Sequence, residues 1–230
     1  MKIKSSLITQ AAGSLGGLTA QNSRSGIVLK GRGIPTKSTS PDAQASRGVF
    51  RFLSGRWTSG LTEAQREGWR TYSAQVLRLN KLGDQREIGA KAQFIRSNSP
   101  RMRGGAVVVD DAPANFTLDF PPTISAASAG SGAQTITLVY STSDPWRAED
   151  GAGLFLTLGN SHIRSRAANR FSRRFMAFIP GSSSSPPPGF LITAAPWYIQ
   201  LNTKVAVFAR QCRADGRLSP ETRYDVFVGL

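Results

Sequence analysis

The hydrophobic period of this chain changes once, at about residue 105, and that change limits what each half can fold into. Before it, apolar side chains recur near helical spacing: Ala43, Val49, Phe50, Leu53 and Trp57, then Trp69, Tyr72 and Val76. After it, Gln134 to Tyr140 alternates, with Ile136, Leu138 and Tyr140 on one face and Thr135, Thr137 and Val139 on the other. A period near 3.6 buries one stripe of a helix, and a period of two buries one face of a strand. The expected fold class is α+β: an N-terminal extended β-hairpin arm and small helical segment, followed by an antiparallel β-sandwich. The boundaries fall at 1–40 for the arm, 41–104 for a basic segment of two to three helices, 105–122 for a connector and 123–230 for the sandwich.

Residues 1–10 read as a short strand or frayed arm. Residues 11–37 have no charge until Arg24, then four cations and no anion through Lys37. Glycines at 13, 16, 17, 26, 31 and 33 flank short apolar runs, which predicts a hairpin whose turn is Asn22–Gly26. The flanking runs, Leu15–Gln21 and Ile27–Lys30, are short, and an isolated hairpin of that kind is marginal in water. It needs a third strand or a partner surface. Gly13, Gly16, Gly17, Arg24, Gly26, Lys30 and Arg32 are the candidate assembly-arm residues.

Ser40 followed by Pro41 and Asp42 predicts a helix start, with Ser40 as N-cap. Ser59-Gly60-Leu61 breaks that helix, and Thr62–Gln65 is a capping box that opens a second. The two are expected to pair as an antiparallel hairpin with the tryptophans and phenylalanines between them. Gly68 inside the second helix predicts close approach of a neighbour. A third helix is expected from about Ile88 to Asn98, ended by Pro100, with Arg96, Arg101 and Arg103 as a basic exit. Strands are expected at Gln134–Tyr140, Leu154–Leu158, Phe175–Ile179, Trp197–Leu201, Val205–Arg210 and Tyr224–Val228. Ser182–Pro188 reads as an exposed, extended loop.

Charge is placed unevenly. Residues 1–104 hold 18 Lys and Arg against 5 Asp and Glu, so nearly all of the net +15 lies in the first half. That asymmetry points to a polyanionic neighbour, either nucleic acid or an acidic protein surface. Arginine outnumbers lysine there, which favours bidentate and stacked contacts. A second basic stretch holds Arg164, Arg166, Arg170, Arg173 and Arg174, with Phe171 among them. It is a candidate interaction loop, for an acidic protein surface or for nucleic acid. No nucleic-acid-binding motif accompanies it.

The residues of common catalytic sites do not assemble. His162 is the only histidine and sits in what reads as a turn; the carboxylates are scattered. The adjacent pair Asp110-Asp111 reads as a solvated junction. Cys212 lies between Arg210 and Arg213, which favours a lowered pKa, yet its place at a strand end marks it as structural. A single cysteine makes no intramolecular disulfide. Gly13-Ser14-Leu15-Gly16-Gly17 resembles a phosphate-cradling loop but lacks the Gly-Lys-Ser/Thr ending. No catalytic residue, metal site or cofactor is expected. No apolar run reaches the roughly 18 residues of a membrane span, and the basic N-terminus lacks the apolar middle of a signal peptide. A non-secretory chain with no membrane partner is expected.

The order of Gly13-Ser14-Leu15-Gly16-Gly17, an Asn/Arg turn, Gly26-Ile27-Val28-Leu29-Lys30-Gly31-Arg32 and Pro35 resembles uncharacterised tailed-phage virion structural proteins. The resemblance continues through Leu61–Trp69 and Ala92–Asn98, and so covers about the first hundred residues. The second half looks like a fibronectin type III-like or immunoglobulin-like domain, with Arg213–Pro220 similar to the turn before the last strand of such modules. The resemblance implies a non-enzymatic virion component, synthesised in the host cytoplasm. Its implied partners are major capsid or tail subunits and copies of itself. A capsid decoration or cement role is preferred. The alternatives are a tail or head–tail connector component, and a nucleic-acid-binding virion protein that contacts the genome.

Overall fold

The computed structural model describes residues 2–3, 12–23, 26–31, 39–79, 85–163 and 172–229, and the chain divides into two compact units, Met1–Thr39 and Ser40–Leu230. In the first, β1 (Lys2–Ile3), β2 (Gly13–Leu15), β3 (Leu18–Ser23) and β4 (Gly26–Gly31) form an antiparallel sheet in the order β1-β4-β3-β2. Ser23 opposite Gly26 places the main turn where the Asn22–Gly26 chemistry predicts it. A second turn, at Gly16-Gly17, brings Leu15 opposite Leu18; the φ of +57° at Gly16 lies in the region glycine favours. The arm is therefore a meander with an added strand, more than the single hairpin expected. Strands from the chain itself meet part of its need for a pairing surface.

The second unit opens with α1 (Pro41–Gly55), capped by Ser40 Oγ accepting from Ala43 N and continued by a π-helical turn at Arg56–Gly60. α2 (Glu63–Gln75) starts on the full capping box: Gln65 N donates to Thr62 Oγ1 at 3.2 Å, and Thr62 N donates to Gln65 Oε1 at 2.9 Å. A short ribbon, β5 (Arg78–Leu79) with β6 (Gln85–Arg86), leads to α3 (Ala90–Arg103). Contrary to the expected α1–α2 hairpin, both helices pack on α3. Phe94 of α3 is the reason. Its buried ring lies 5.5 Å from Trp69 and 5.7 Å from Trp57, amid Leu53, Leu61, Tyr72 and Val76. Phe50 and Phe52 are left outside this core. A Cβ at Gly68 would lie 3.3 Å from that of Ala112, the close approach its position predicts.

α3 also corrects two expectations. Pro100 lies within the helix, not beyond it, because Gly104 N and Ala106 N close the last turn on Pro100 O and Arg101 O. Nor is there a basic exit. Arg101 is buried and donates to Val107 O at 2.9 Å and Arg213 O at 2.8 Å, while Arg103 pairs with Asp42 at 2.5 Å. Through these contacts α3 joins the helices to the sandwich as one compact unit, where the sequence divides 41–104 from 123–230.

The sandwich comprises β7 (Ile124–Gly130), β8 (Thr135–Tyr140), β9 (Gly153–Gly159), β10 (His162–Ile163), β11 (Arg173–Pro180), β12 (Phe190–Ala194), β13 (Thr203–Cys212) and β14 (Thr222–Gly229). The strands form one continuous hydrogen-bonded sheet in the order β11-β9-β13-β14-β7-β8-β12, with β10 on β13, and it folds over so that β7-β8-β12 and β11-β9-β13-β14 share one core. The pairings are antiparallel except where β14 meets β7 in parallel, at Val228–Ala129 and Gly229–Gly130. Ile136, Leu138, Tyr140 and Trp146 meet Leu154, Leu156, Leu158, Val205, Val207 and Val226 in the core. Trp197–Leu201 is not the expected strand. Gln134 holds its backbone instead, accepting from Ile199 N at 2.9 Å and donating to Ile199 O at 2.9 Å.

Candidate functional site

Among the arm residues, Gly13 and Gly16 have positive φ, +129° and +57°, so both shape the backbone of β2 and its turn. Gly17 completes that turn, and Gly26 closes the main hairpin opposite Ser23. Lys30 lies across from Thr19, and its Nζ donates to Gln21 Oε1 at 3.4 Å. Ser14 and Thr19 hydroxyls lie 2.9 Å apart. Arg24 and Arg32 fall outside the described residues. Ile27 is the one large apolar side chain buried among the described residues of this unit; Leu18 is half exposed.

Of the second basic stretch, Arg164, Arg166 and Arg170 lie outside the described residues. Arg173 and Arg174 do not project from a loop; they open β11. Arg173 donates to Glu221 Oε1 at 2.5 Å with its guanidinium 3.6 Å from the Phe208 ring centre. Arg174 lies 3.7 Å from the Trp197 ring centre and donates to Pro196 O at 2.9 Å. Each guanidinium thus stacks on an aromatic face of its own chain.

The remaining reactive residue types are engaged structurally. His162 lies in β10, opposite Lys204. Cys212 is fully buried, and burial pushes its thiol up to about 12, overriding the opposite pull of Arg101 and Arg210. Asp110 is not simply solvated. Both its oxygens accept from Arg56, at 2.6 and 2.5 Å, and its carbonyl accepts from Trp69 Nε1 at 2.7 Å. Asp111 accepts from Gln65 Nε2 at 3.0 Å. Among the described residues no group of three or more His, Cys, Asp or Glu is placed to hold a metal ion. No helix there is long and apolar enough to cross a membrane.

One grouping has no sequence signature. Tyr72 of α2, Arg78 of β5, Arg96 of α3 and Arg210 of β13 are brought together from positions spread over 138 residues. Their charges oppose one another and several of their donors are buried without acceptors. No linear motif marks it, because the neighbours come from four separate elements.

No family model and no curated protein matches the chain. It is similar in structure to the adhesin domain of Epf from Streptococcus pyogenes, at 12% identity and a TM-score of 0.31. The match covers 49% of this chain and 34% of that one, so the chain spans about a third of that structure.

Proposed function

We propose that this protein is a non-enzymatic structural component of a bacteriophage particle, in a capsid decoration or cement role, joined to neighbouring subunits by its N-terminal unit. One observation carries the reading. The Met1–Thr39 unit is a small sheet that buries a single large apolar side chain, Ile27, among its described residues. A small sheet gains stability by adding to another surface. Edge pairing supplies main-chain hydrogen bonds without requiring a pocket, and β2 is an edge strand of the described sheet. The resemblance of the first hundred residues to tailed-phage proteins gives the partner class: major capsid or tail subunits and further copies of this chain. The uneven charge suits an acidic lattice.

The test is incorporation. Particles assembled with a chain lacking residues 1–39 should contain little or none of it, although the remainder stays soluble and folded. Normal incorporation of the truncated chain would overturn the arm's role. Copy number per purified particle then separates the sites: hundreds place the protein on a capsid lattice or tail tube, and about a dozen or fewer place it at a head–tail connector or tip.

A further inference from the structure

One long stretch of this basic chain carries no charge: from Phe175 through Thr203 there is no Asp, Glu, Lys, Arg or His. Within it lies β12, Phe190-Leu191-Ile192-Thr193-Ala194, which ends the hydrogen-bonded path of the large sheet. An edge strand offers unpaired amides and carbonyls to any other strand, so folded proteins ordinarily guard it with lysine, proline or a bulge. β12 has none of these. Its pairing with β8 is regular from Phe190–Val139 to Ala194–Thr135.

The phase of that ladder says which backbone groups face outward. Just beyond its two ends, Tyr140 N donates to Gly189 O at 2.9 Å and Ala195 N donates to Gln134 O at 2.8 Å. Alternate residues of an antiparallel pair exchange bonds, so Leu191 and Thr193 also bond β8. The N–H and C=O of Phe190, Ile192 and Ala194 therefore point away from it, and none of them bonds another described residue. β11, at the other end of the sheet, comes near β12 without pairing with it; its Arg174 reaches Pro196 O, beyond the end of the strand. The outer face here is apolar, with Phe190, Ile192 and Val139 exposed and only the hydroxyls of Thr135 and Thr137 beside them.

We propose that β12 is a self-association edge, to which a second copy of this chain adds its own β12, antiparallel, about a two-fold axis at Ile192. Charge selects the place. Copies of a chain with net charge +15 repel each other, and β12 lies in the neutral segment, where two copies meet without opposing cations. The strand is also complementary to itself in this register. Ile192 stands opposite Ile192, and each Phe190 ring stands opposite a small Ala194, so bulk and space alternate along the seam. The outward amides and carbonyls of the two strands meet in the same register and form about six main-chain hydrogen bonds. A seam of five residues a side is short, so the dimer is weak, with a Kd of about 10–100 μM. The edge belongs to the Ser40–Leu230 unit and does not rest on the particle role or on the N-terminal arm.

The experiment is equilibrium sedimentation of the full chain over about 5–500 μM, a range that brackets the expected Kd. A reversible monomer–dimer equilibrium should appear, and it should tighten between about 50 and 500 mM salt, because salt screens the repulsion of the two positive chains. Ile192→Lys sets two cations opposite each other and should weaken dimerisation at least tenfold. Since Ile192 is 61% exposed, the thermal midpoint of the dilute monomer should not change. Ile192→Pro removes an N–H that β8 does not use and should act likewise. Cysteines then read the register, because the native Cys212 is buried. Under mild oxidation Ile192→Cys should cross-link to itself, as hydrogen-bonded pairs lie about 5.5 Å apart between Cα atoms. Phe190→Cys should not link to itself but should link to Ala194→Cys when the two are mixed. A chain that stays monomeric throughout, a dimer that salt dissociates, or one that survives Ile192→Lys would overturn the proposal. So would cross-linking without preference among the three positions, which would move the contact elsewhere, the N-terminal arm included.

Discussion

Asn98 does more for this fold than its polarity suggests. Buried in α3, it donates through Nδ2 to Val109 O at 2.9 Å and to Phe94 O at 3.2 Å, and accepts from Val109 N at 2.7 Å. One side chain therefore stands in for a strand partner to the connector. Asn98→Ala would leave both Val109 groups without their partner and should cost about 2–4 kcal/mol, read as a lower urea midpoint. Cys212 carries a pH dependence of defined sign. An unfolded thiol titrates at about 8.5, whereas burial holds this one protonated to about 12. Its contribution is fully present below the unfolded value and is lost as pH rises through the folded one. Stability should therefore fall above pH 9, and Cys212→Ala should flatten that decline in urea midpoints measured from pH 8 to 11. A native chain at pH 8 should also leave Cys212 unlabelled by thiol reagents.

Elements show where local chemistry suffices and where neighbours decide. The α2 start is local, because Thr62 and Gln65 satisfy each other's amides within four residues. Thr62→Ala should cost about 1 kcal/mol, visible in chemical denaturation. The turn after β11 is set by its surroundings. A Cβ on Gly181 would sit 2.0 Å from the Trp146 carbonyl oxygen and 2.7 Å from that of Glu149, and backbone there cannot yield cheaply. Gly181→Ala should lower stability by about 3 kcal/mol or prevent folding, as judged by the thermal midpoint and soluble yield. The end of α3 is a third case. Pro100 has no N–H to donate to the preceding turn, so the helix forgoes a bond there, and burial of Pro100 and Arg101 holds the turn in place.

At the scale of the whole molecule, the division at residue 39 makes the Ser40–Leu230 unit the structural body. It contains both apolar cores apart from Ile27, and the C-terminal end of α3 ties them together through Arg101 on the Arg213 carbonyl, Arg103 over the Phe175 ring and Gly104 packed on Phe178. Residues 40–230 alone should therefore unfold in one cooperative transition with nearly the midpoint of the full chain. Two separated transitions, one for the helices and one for the sandwich, would contradict that coupling.

The sequence by itself determined the elements whose causes are local. The Ser40 and Thr62 caps, the Asn22–Gly26 turn and the alternation through Ile136, Leu138 and Tyr140 act within a few residues, so each was legible in order. Gly68 even announced its neighbour. Tertiary structure decided whatever required a partner far along the chain. Phe94 drew α1 and α2 onto α3, Gln134 replaced a strand for Ile199, and the backbone carbonyls of Val107 and Arg213 turned Arg101 from a surface cation into a buried joint. The Arg78, Arg96 and Arg210 grouping belongs to the same class. Periodicity places a side chain on a face, but only packing says which face it meets and whether its charge finds a partner there.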